Sequence, residues 1–171
     1  TGSSGSTGTS TSTSTSSSTS TSTSTSTSTS TSTSTSTSTG GSTTPVAGAV
    51  FVDPNLAATT TTYNPSTRSA TGGTRKAYAS LADAAAAASA GMTVYLRAGT
   101  YDDALIPARS GTPGSPITFA AYPGETPKIT GASLAPAIDL SGLSAIVLDG
   151  LEVDGVQRWL YAVGTDDCVI K

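Results

Sequence analysis

Short apolar runs separated by polar turns fill the chain after residue 91. Most runs are three to six residues long, and Gly, Pro, Ser or Asp stands at their ends. Many short strands without a second helix are typical of an all-β architecture. The runs occupy residues 93–96, 117–122, 128–130, 137–140, 145–148, 151–153, 160–163 and 168–170, with a shorter unit at Leu105 and Ile106.

One helix is predicted ahead of these strands. Ser80 is placed to cap it, and Asp83, three residues later, gives an acidic variant of the capping box. The alanine-rich stretch that follows favours a helix, which Gly91 is expected to end. Nearer the N-terminus, the apolar residues 49–52 predict a strand, whereas the polar residues 57–76 predict a long loop.

A fixed spacing relates the last apolar runs. Residues 138–140 recur as 161–163, and residues 145–148 recur as 168–170 with the same offset along the chain. A repeat of about 20 to 25 residues fits one turn of a β-solenoid, in which two or three short strands stack on those of the turn below. We expect about three such turns. A β-sandwich with irregular hairpins is the alternative.

A low-complexity tract precedes this pattern. Residues 1–44 contain only Thr, Ser and Gly, and Thr and Ser alternate through most of them. Such residues bury no apolar surface, so nothing offsets the entropy lost on ordering them. We therefore expect a disordered linker at 1–44, dense in acceptors for O-linked sugars, and a folded domain at 45–171.

Charge and residue usage exclude several classes of function. Lys and Arg number 8, Asp and Glu number 11, and no basic run occurs, so a nucleic-acid partner is not expected. No apolar run reaches the roughly 20 residues that span a membrane. The chain has no histidine, which excludes histidine bases and ligands within it. Its single cysteine, Cys168, cannot form an intrachain disulfide and is expected to be buried and inert.

Four motifs stand out after the capped helix. They are GMTVYLRAGTY at 91–101, SGTPGSPITF at 110–119, AYPGETP at 121–127 and IVLDGLEV at 146–153. With the helix, they resemble the N-terminal cap and first turns of right-handed parallel β-helix proteins, the pectate lyase and polysaccharide lyase-like superfamily. The resemblance implies an all-β fold: a right-handed parallel β-helix (a single-stranded solenoid), incomplete here, with a short N-terminal capping α-helix.

The same resemblance implies a secreted, carbohydrate-active protein whose partner is polysaccharide. Lyases of this kind cleave uronic-acid polymers by β-elimination, which needs a base and a cation, commonly Ca²⁺ held by clustered carboxylates. In the family these residues lie on middle turns. We therefore expect the catalytic residues beyond Lys171, Ca²⁺ as a cofactor of the complete protein, and no activity in this segment alone. The linker favours a further module upstream, such as a carbohydrate-binding one.

Two aspartates are weak candidates for a metal site. Asp149 and Asp154 are five residues apart, with Glu152 between them, and carboxylates at such spacing could contribute to a cation site. Each aspartate directly precedes a glycine, however, and Asp-Gly is a turn signature. The turn interpretation is the simpler one, and it also covers Asp166 and Asp167.

Cationic and aromatic side chains near the strands are candidates for ligand contacts. A base or a carboxylate clamp could come from Arg97, Lys128 or Arg158, although solvent-exposed outward positions are the simpler expectation. Three aromatic residues could stack on sugar rings, although we expect them to pack inward or under loops. They are Tyr122, Trp159 and Tyr161.

A non-enzymatic function is the alternative. The β-helix would then be an extracellular or cell-surface adhesin, or a glycan-binding or fibre-forming module, and the Thr/Ser tract an O-glycosylated stalk. Nothing in the sequence predicts a nucleotide loop, a zinc site or a nucleophile elbow.

Overall fold

The structure, a computed structural model, describes residues 45–131 and 133–171. The predicted linker at 1–44 lies outside the described residues. The described chain forms twelve strands and one α-helix. In chain order they are β1 Val50–Val52, β2 Thr60–Tyr63, β3 Arg75–Tyr78, α1 Leu81–Ala87, β4 Thr93–Leu96, β5 Gly99–Tyr101, β6 Ile117–Ala121, β7 Pro127–Thr130, β8 Ile138–Asp139, β9 Ile146–Asp149, β10 Glu152–Asp154, β11 Leu160–Tyr161 and β12 Val169–Ile170.

The strands form three sheets that the chain visits in turn. The largest has the order β12-β9-β6-β4-β1-β3-β2, the second has the order β10-β7-β5, and the third pairs β11 with β8. A bridge between Leu105 and Ile138 extends the third sheet. Because each turn returns one parallel strand to the largest sheet, the chain is a β-solenoid of about five turns, rather than the predicted three. The β-sandwich alternative does not apply.

The predicted alignment of the last two turns is wrong by one residue. The sequence pattern placed residue 161 over residue 138 and residue 168 over residue 145. In the structure Leu160 lies beside Ile138, and Val169 lies beside Val147. A shift of one residue matters in a strand because successive side chains point to opposite faces.

Turn length varies along the solenoid while the strand positions stay constant. In the largest sheet, Thr93 pairs with Thr118 and Ile117 pairs with Ile146. Both pairs are separated by more of the chain than Val147 and Val169, the partners in the last turn. The additional residues lie in the connections between strands, so the stacking of the sheets is preserved.

A column of inward side chains runs through all five turns of the largest sheet. Strand pairing aligns one residue from each turn, and the first four are buried while the fifth is exposed. Each fully buried aliphatic or aromatic side chain stabilises the fold by roughly 1.5–3 kcal/mol. We call this set the inward column, and it consists of Val50, Val94, Phe119, Leu148 and Ile170.

The helix begins as predicted but ends early. The Ser80 hydroxyl accepts a hydrogen bond from the Asp83 amide at 3.2 Å, which confirms the cap. Leu81 is buried against the solenoid core. The helix ends at Ala87, not near Gly91, because Ala88 adopts an extended conformation and is fully buried. Packing thus outweighs alanine's helix propensity here, while the helix's capping role stays a prediction.

The predicted long loop at 57–76 contains two strands, so that prediction is wrong. β3 pairs in parallel with β1, and β2 pairs antiparallel with β3 as the outermost strand of the largest sheet. Tyr63 and Ala77 are fully buried on these strands and anchor them. The sequence pattern did not predict these strands because the threonines of β2 face solvent and give it no apolar run. A shorter connection, residues 64–74, remains between the two strands.

Candidate functional site

A cluster of paired charged groups lies beneath residues 64–74. Asp53 is fully buried, and its carboxylate accepts two hydrogen bonds from Arg68, at 3.0 and 2.6 Å. The Tyr63 hydroxyl donates a third, at 2.7 Å. Arg68 also donates to the Ala98 carbonyl at 2.9 Å. The connection between β2 and β3 is thereby tied to the start of the solenoid.

Arg97 continues this cluster and is not solvent-exposed, so the prediction made for it is wrong. It is 3% exposed, and its guanidinium donates to both Glu125 oxygens at 2.6–3.1 Å. It also donates to the Tyr63 hydroxyl at 2.9 Å and lies 4.0 Å from the centre of the Tyr122 ring. Burial is tolerated because the guanidinium is paired with a carboxylate and hydrogen-bonded on all sides.

Hydrogen bonding determines the protonation state of these carboxylates. Burial acts to raise the pKa of Asp53, but hydrogen bonds from Arg68 and Tyr63 outweigh it and hold the pKa below its ordinary value. Burial likewise acts to raise the pKa of Glu125, and hydrogen bonds from Arg97 and the Ala98 amide lower it. No buried side-chain polar atom lacks a partner in the described ranges. Fully paired carboxylates are poor bases, so we interpret this cluster as structural.

Two exposed aromatic side chains lie at the other end of the solenoid. Trp159 is 52% exposed and Tyr161 is 40% exposed, so the prediction that they pack inward is wrong. Leu160 lies between them and packs against the core. Trp159 directly precedes β11 and lines a cavity with Leu148 and Ile170 of the inward column, whereas Tyr161 lies on β11 itself. We call this pair the aromatic surface.

The aromatic surface borders an open groove formed by residues 153–161. The Arg158 guanidinium lies 5.2 Å from the centre of the Tyr161 ring. Asp139 is the partner of Tyr161 on the neighbouring turn. A flat ring can stack on the apolar face of a sugar, and nearby charged groups can hydrogen-bond its hydroxyls. The groove therefore combines both kinds of contact that a carbohydrate requires.

An ion-pair network lies beside this groove, on the outer face of the second sheet. The Lys128 ammonium is 2.7 Å from a Glu152 oxygen and 3.6 Å from an Asp154 oxygen. Hydrogen bonding to Glu152 raises the pKa of Lys128, which therefore remains protonated. The side chains are more than one-third exposed, so solvent weakens these ion pairs. Lys128 thus occupies an outward position, as predicted.

The two metal candidates are not brought together by the fold. Asp149 lies on β9 in the largest sheet, 3.7 Å from the Lys171 ammonium, whereas Asp154 lies on β10 in the second sheet. Both following glycines, Gly150 and Gly155, have positive φ, as the turn interpretation requires. No group of three or more potential metal ligands occurs among the described residues. A Ca²⁺ site in the complete protein stays a prediction.

Tyr122 and Cys168 have structural positions. Tyr122 is partly buried and packs edge-to-face on Tyr95, with ring centres 6.0 Å apart, in an outer cluster around Phe51. Tyr122 therefore packs against other side chains, outside the main core. Cys168 is half-buried rather than fully buried, and its thiol contacts the Leu143 carbonyl at 3.8 Å.

Comparison with known proteins supports only a distant similarity. The chain is 38% identical over 88 residues to an uncharacterized protein of Bacillus subtilis (strain 168), YwoF. The aligned part is 48% of this chain and 19% of YwoF, so the chain spans about a fifth of that relative's length. No family model matches the chain, and no solved structure matches it. Among the described residues, no helix is long and apolar enough to cross a membrane.

Proposed function

We propose that this chain is part of a secreted, carbohydrate-active β-helix protein and that its described region binds polysaccharide through the aromatic surface. The single observation that carries this proposal is the exposure of Trp159 and Tyr161, which line one groove on the last described turn. Large aromatic side chains left in water at a groove are typical of binding sites, because their apolar faces gain from being covered.

The superfamily and the handedness of the solenoid are part of the same proposal. We place the solenoid in the pectate lyase-like superfamily and infer a right-handed coil. Connections between parallel strands of one sheet are right-handed in nearly all known cases, which supports this handedness. The Thr/Ser tract is proposed to be an O-glycosylated stalk that separates this domain from a further extracellular module, which could itself bind carbohydrate.

Substitution of the two rings tests the binding role. We expect Trp159→Ala and Tyr161→Ala each to weaken binding to a retained polysaccharide by about tenfold, measured by affinity electrophoresis and calorimetry. Trp159→Phe keeps a flat ring and should retain most of the affinity. Val46→Ala is a matched control, since Val46 is 48% exposed and lines a different groove beside Tyr95 and Tyr122. Unchanged affinity in both alanine variants would exclude the aromatic surface as the site.

The lyase reaction remains a proposal for the complete protein. Uronate elimination needs a base and a neutralising cation, and we place those residues on turns following Lys171. Pectate, alginate and chondroitin would be supplied to the full-length protein with and without Ca²⁺, and the unsaturated product followed by ultraviolet absorbance. Product formed only with Ca²⁺ supports the lyase and its cofactor. An absence of product from every uronate polymer excludes this reaction.

One observation favours the non-enzymatic, fibre-forming alternative. Of the seven large apolar side chains exposed in the described residues, five lie on the last turn. They include Ile170, which ends the inward column. An apolar solenoid end can stack on a second copy. Sedimentation velocity over a range of concentrations tests this, with Ile170→Lys expected to abolish association. A monomer at all concentrations would exclude it.

A further inference from the structure

We propose that residues 64–74, which connect β2 to β3, form a strap that is held closed by the Arg68–Asp53 ion pair and is released by acid. The strap opens as a unit while the turns beneath it stay folded. Opening uncovers Asp53, the Tyr63 hydroxyl and one edge of Arg97, to which the strap is bonded. A surface that is closed at neutral pH thereby becomes accessible in acid.

The strap is held to the solenoid by polar contacts and not by buried apolar area. None of its residues is buried. Arg68 donates two hydrogen bonds to the Asp53 carboxylate, at 3.0 and 2.6 Å, and one to the Ala98 carbonyl, at 2.9 Å. The Arg97 guanidinium donates a further one to the Pro65 carbonyl, at 2.6 Å. Segments with few buried apolar contacts are the ones that open locally.

The other hydrogen bonds of the strap, among the described residues, lie within it or go to β2. Asn64 and Ser69 exchange two backbone hydrogen bonds, at 2.9 and 3.3 Å. The Thr60 and Thr62 hydroxyls each donate to the Ala70 carbonyl, at 2.9 Å, and both bonds are exposed. Water replaces exposed hydrogen bonds at little cost. The ion pair with Asp53 therefore decides whether the strap is closed.

The backbone of Arg68 favours opening. Its φ is +54°, in the left-handed region that is unfavourable for a residue with a Cβ atom. In the closed strap, the pairing of both guanidinium nitrogens with the buried Asp53 carboxylate offsets this strain. Once the pair breaks, the Arg68 backbone can relax, and its side chain, 27% exposed in the closed strap, reaches water.

The turns beneath the strap have contacts of their own. The Arg97 guanidinium donates to both Glu125 oxygens, and the Ala98 amide donates to Glu125 at 2.6 Å. The Tyr101 hydroxyl lies 3.0 and 2.7 Å from the carbonyl oxygens of Val52 and Arg97. These bonds do not involve the strap, so its opening leaves the stacked turns joined.

Asp53 is the group through which acid acts. Burial acts to raise its pKa, but hydrogen bonds from Arg68 and Tyr63 outweigh it and hold the pKa below the ordinary value of 3.8. The ion pair is therefore complete above that value and is lost as the pH falls through the lowered pKa, which favours the open strap. The charged and titratable groups around Asp53 are Arg68, Tyr63, Arg97, Tyr101 and Glu125. Of these, only Glu125 also titrates in acid, and it pairs with Arg97.

Cleavage by trypsin after residue 68 measures opening at neutral pH, because a guanidinium held in an ion pair cannot enter the protease. Asp53→Asn mimics the protonated carboxyl and should raise the rate of this cleavage about tenfold, as read by mass spectrometry. Cleavage after the exposed Arg109 in the same samples should not change. Asp154→Asn, which removes one charge from an exposed ion pair, should change neither rate.

Arg68→Lys tests the strap with Asp53 intact. It keeps the charge and a cleavable site but loses the paired geometry, so cleavage after residue 68 should rise about threefold, relative to the same sequence in a free peptide. Unchanged cleavage there in both Asp53→Asn and Arg68→Lys would overturn the inference. So would an equal rise after Arg109 in both variants, since the whole domain would then be opening.

Hydrogen exchange followed by mass spectrometry tests the acid step. After correction for intrinsic rates, the strap should lose about tenfold in protection between pH 7 and pH 3, while β4 and β6 keep theirs. In Asp53→Asn the strap should have little protection at either pH. A strap response to acid that persists in Asp53→Asn would assign the trigger to another group, and loss of protection in β4 together with the strap would mean global unfolding. Either result would overturn the inference.

Discussion

The first and last turns of the solenoid share one inward column but differ in what covers it. Val94 and Phe119 are fully buried, whereas Ile170, at the end of the same column, is 47% exposed. Near the first turns, Asp53 and Arg97 are buried and fully paired. Near the last turn, the ion pairs and two aromatic rings are open to solvent. One strand arrangement therefore encloses charged pairs at one end and leaves charged and aromatic side chains exposed at the other.

This difference teaches that burial, and not residue type, decides how much each charged pair contributes to stability here. Arg97 and Lys128 both pair with glutamate, but Arg97 is enclosed and Lys128 is exposed. Removing one partner of an enclosed pair leaves an uncompensated charge, while water replaces the lost partner of an exposed pair. Equivalent substitutions in the two regions should consequently have unequal effects on stability.

The largest effect is expected from shortening the inward column at a covered turn. Phe119→Ala removes a fully buried ring and should lower the free energy of unfolding by about 3–5 kcal/mol. Ile170→Ala, in the same column, should cost less than about 1 kcal/mol because its side chain is already half exposed. Urea denaturation followed by circular dichroism measures both. Similar losses would show that the last turn is as well covered as the others.

The next effect concerns the ion pairs. Asp53→Ala leaves the buried end of Arg68 without its carboxylate and should destabilise the fold by about 3 kcal/mol. Asp154→Ala removes an exposed partner of Lys128 and should cost less than about 1 kcal/mol. Thermal unfolding of the two variants gives the comparison. A loss on Asp154→Ala as large as that on Asp53→Ala would contradict the structural interpretation of the Asp53 cluster.

Low pH should destabilise the fold through the buried carboxylates Asp53 and Glu125. Asp53 and Glu125 have pKa values in the folded chain below their ordinary values of 3.8 and 4.5. Their contribution to stability is therefore complete above the ordinary values and is lost as the pH falls through the folded pKa values. We expect stability to fall below about pH 4, as followed by urea midpoints at each pH. Asp53→Asn should be less stable at neutral pH and less sensitive to acid.

The smallest effect is expected at the helix cap. Ser80→Ala removes the acceptor of the Asp83 amide and should lower stability by about 1 kcal/mol. Ser141→Ala, in an exposed turn of a later part of the solenoid, is the matched control and should change the unfolding temperature little. If both variants behave alike, the cap contributes nothing measurable to the fold.

The solenoid could be predicted because turn residues mark each short strand and the inward positions alternate. The 93–96 run, for example, appears as β4 with the predicted bounds. The number of turns could not be predicted, since Val50 and Val94 are neighbours in the sheet but are separated in the chain by β2, β3 and α1. Only the last turns, near the C-terminus, repeat closely enough for the sequence to show a period.

The candidate site was predicted less well than the fold. Arg97 pairs with Glu125, far along the chain, and no short-range pattern connects such distant residues. The outward position of Tyr161, in contrast, had a signal in the sequence. Leu160 directly precedes it as an inward residue of the same short strand, so alternation places the Tyr161 ring on the outside.

The position of β1 has a mechanical consequence. β1 lies inside the largest sheet, hydrogen-bonded to β3 on one side and to β4 on the other. A pulling force that enters the domain through residue 45 would therefore have to break two rows of backbone hydrogen bonds together, instead of unzipping one strand from an edge. A domain pulled through such an inner strand should therefore unfold at a higher force than one pulled through the outermost strand of its sheet.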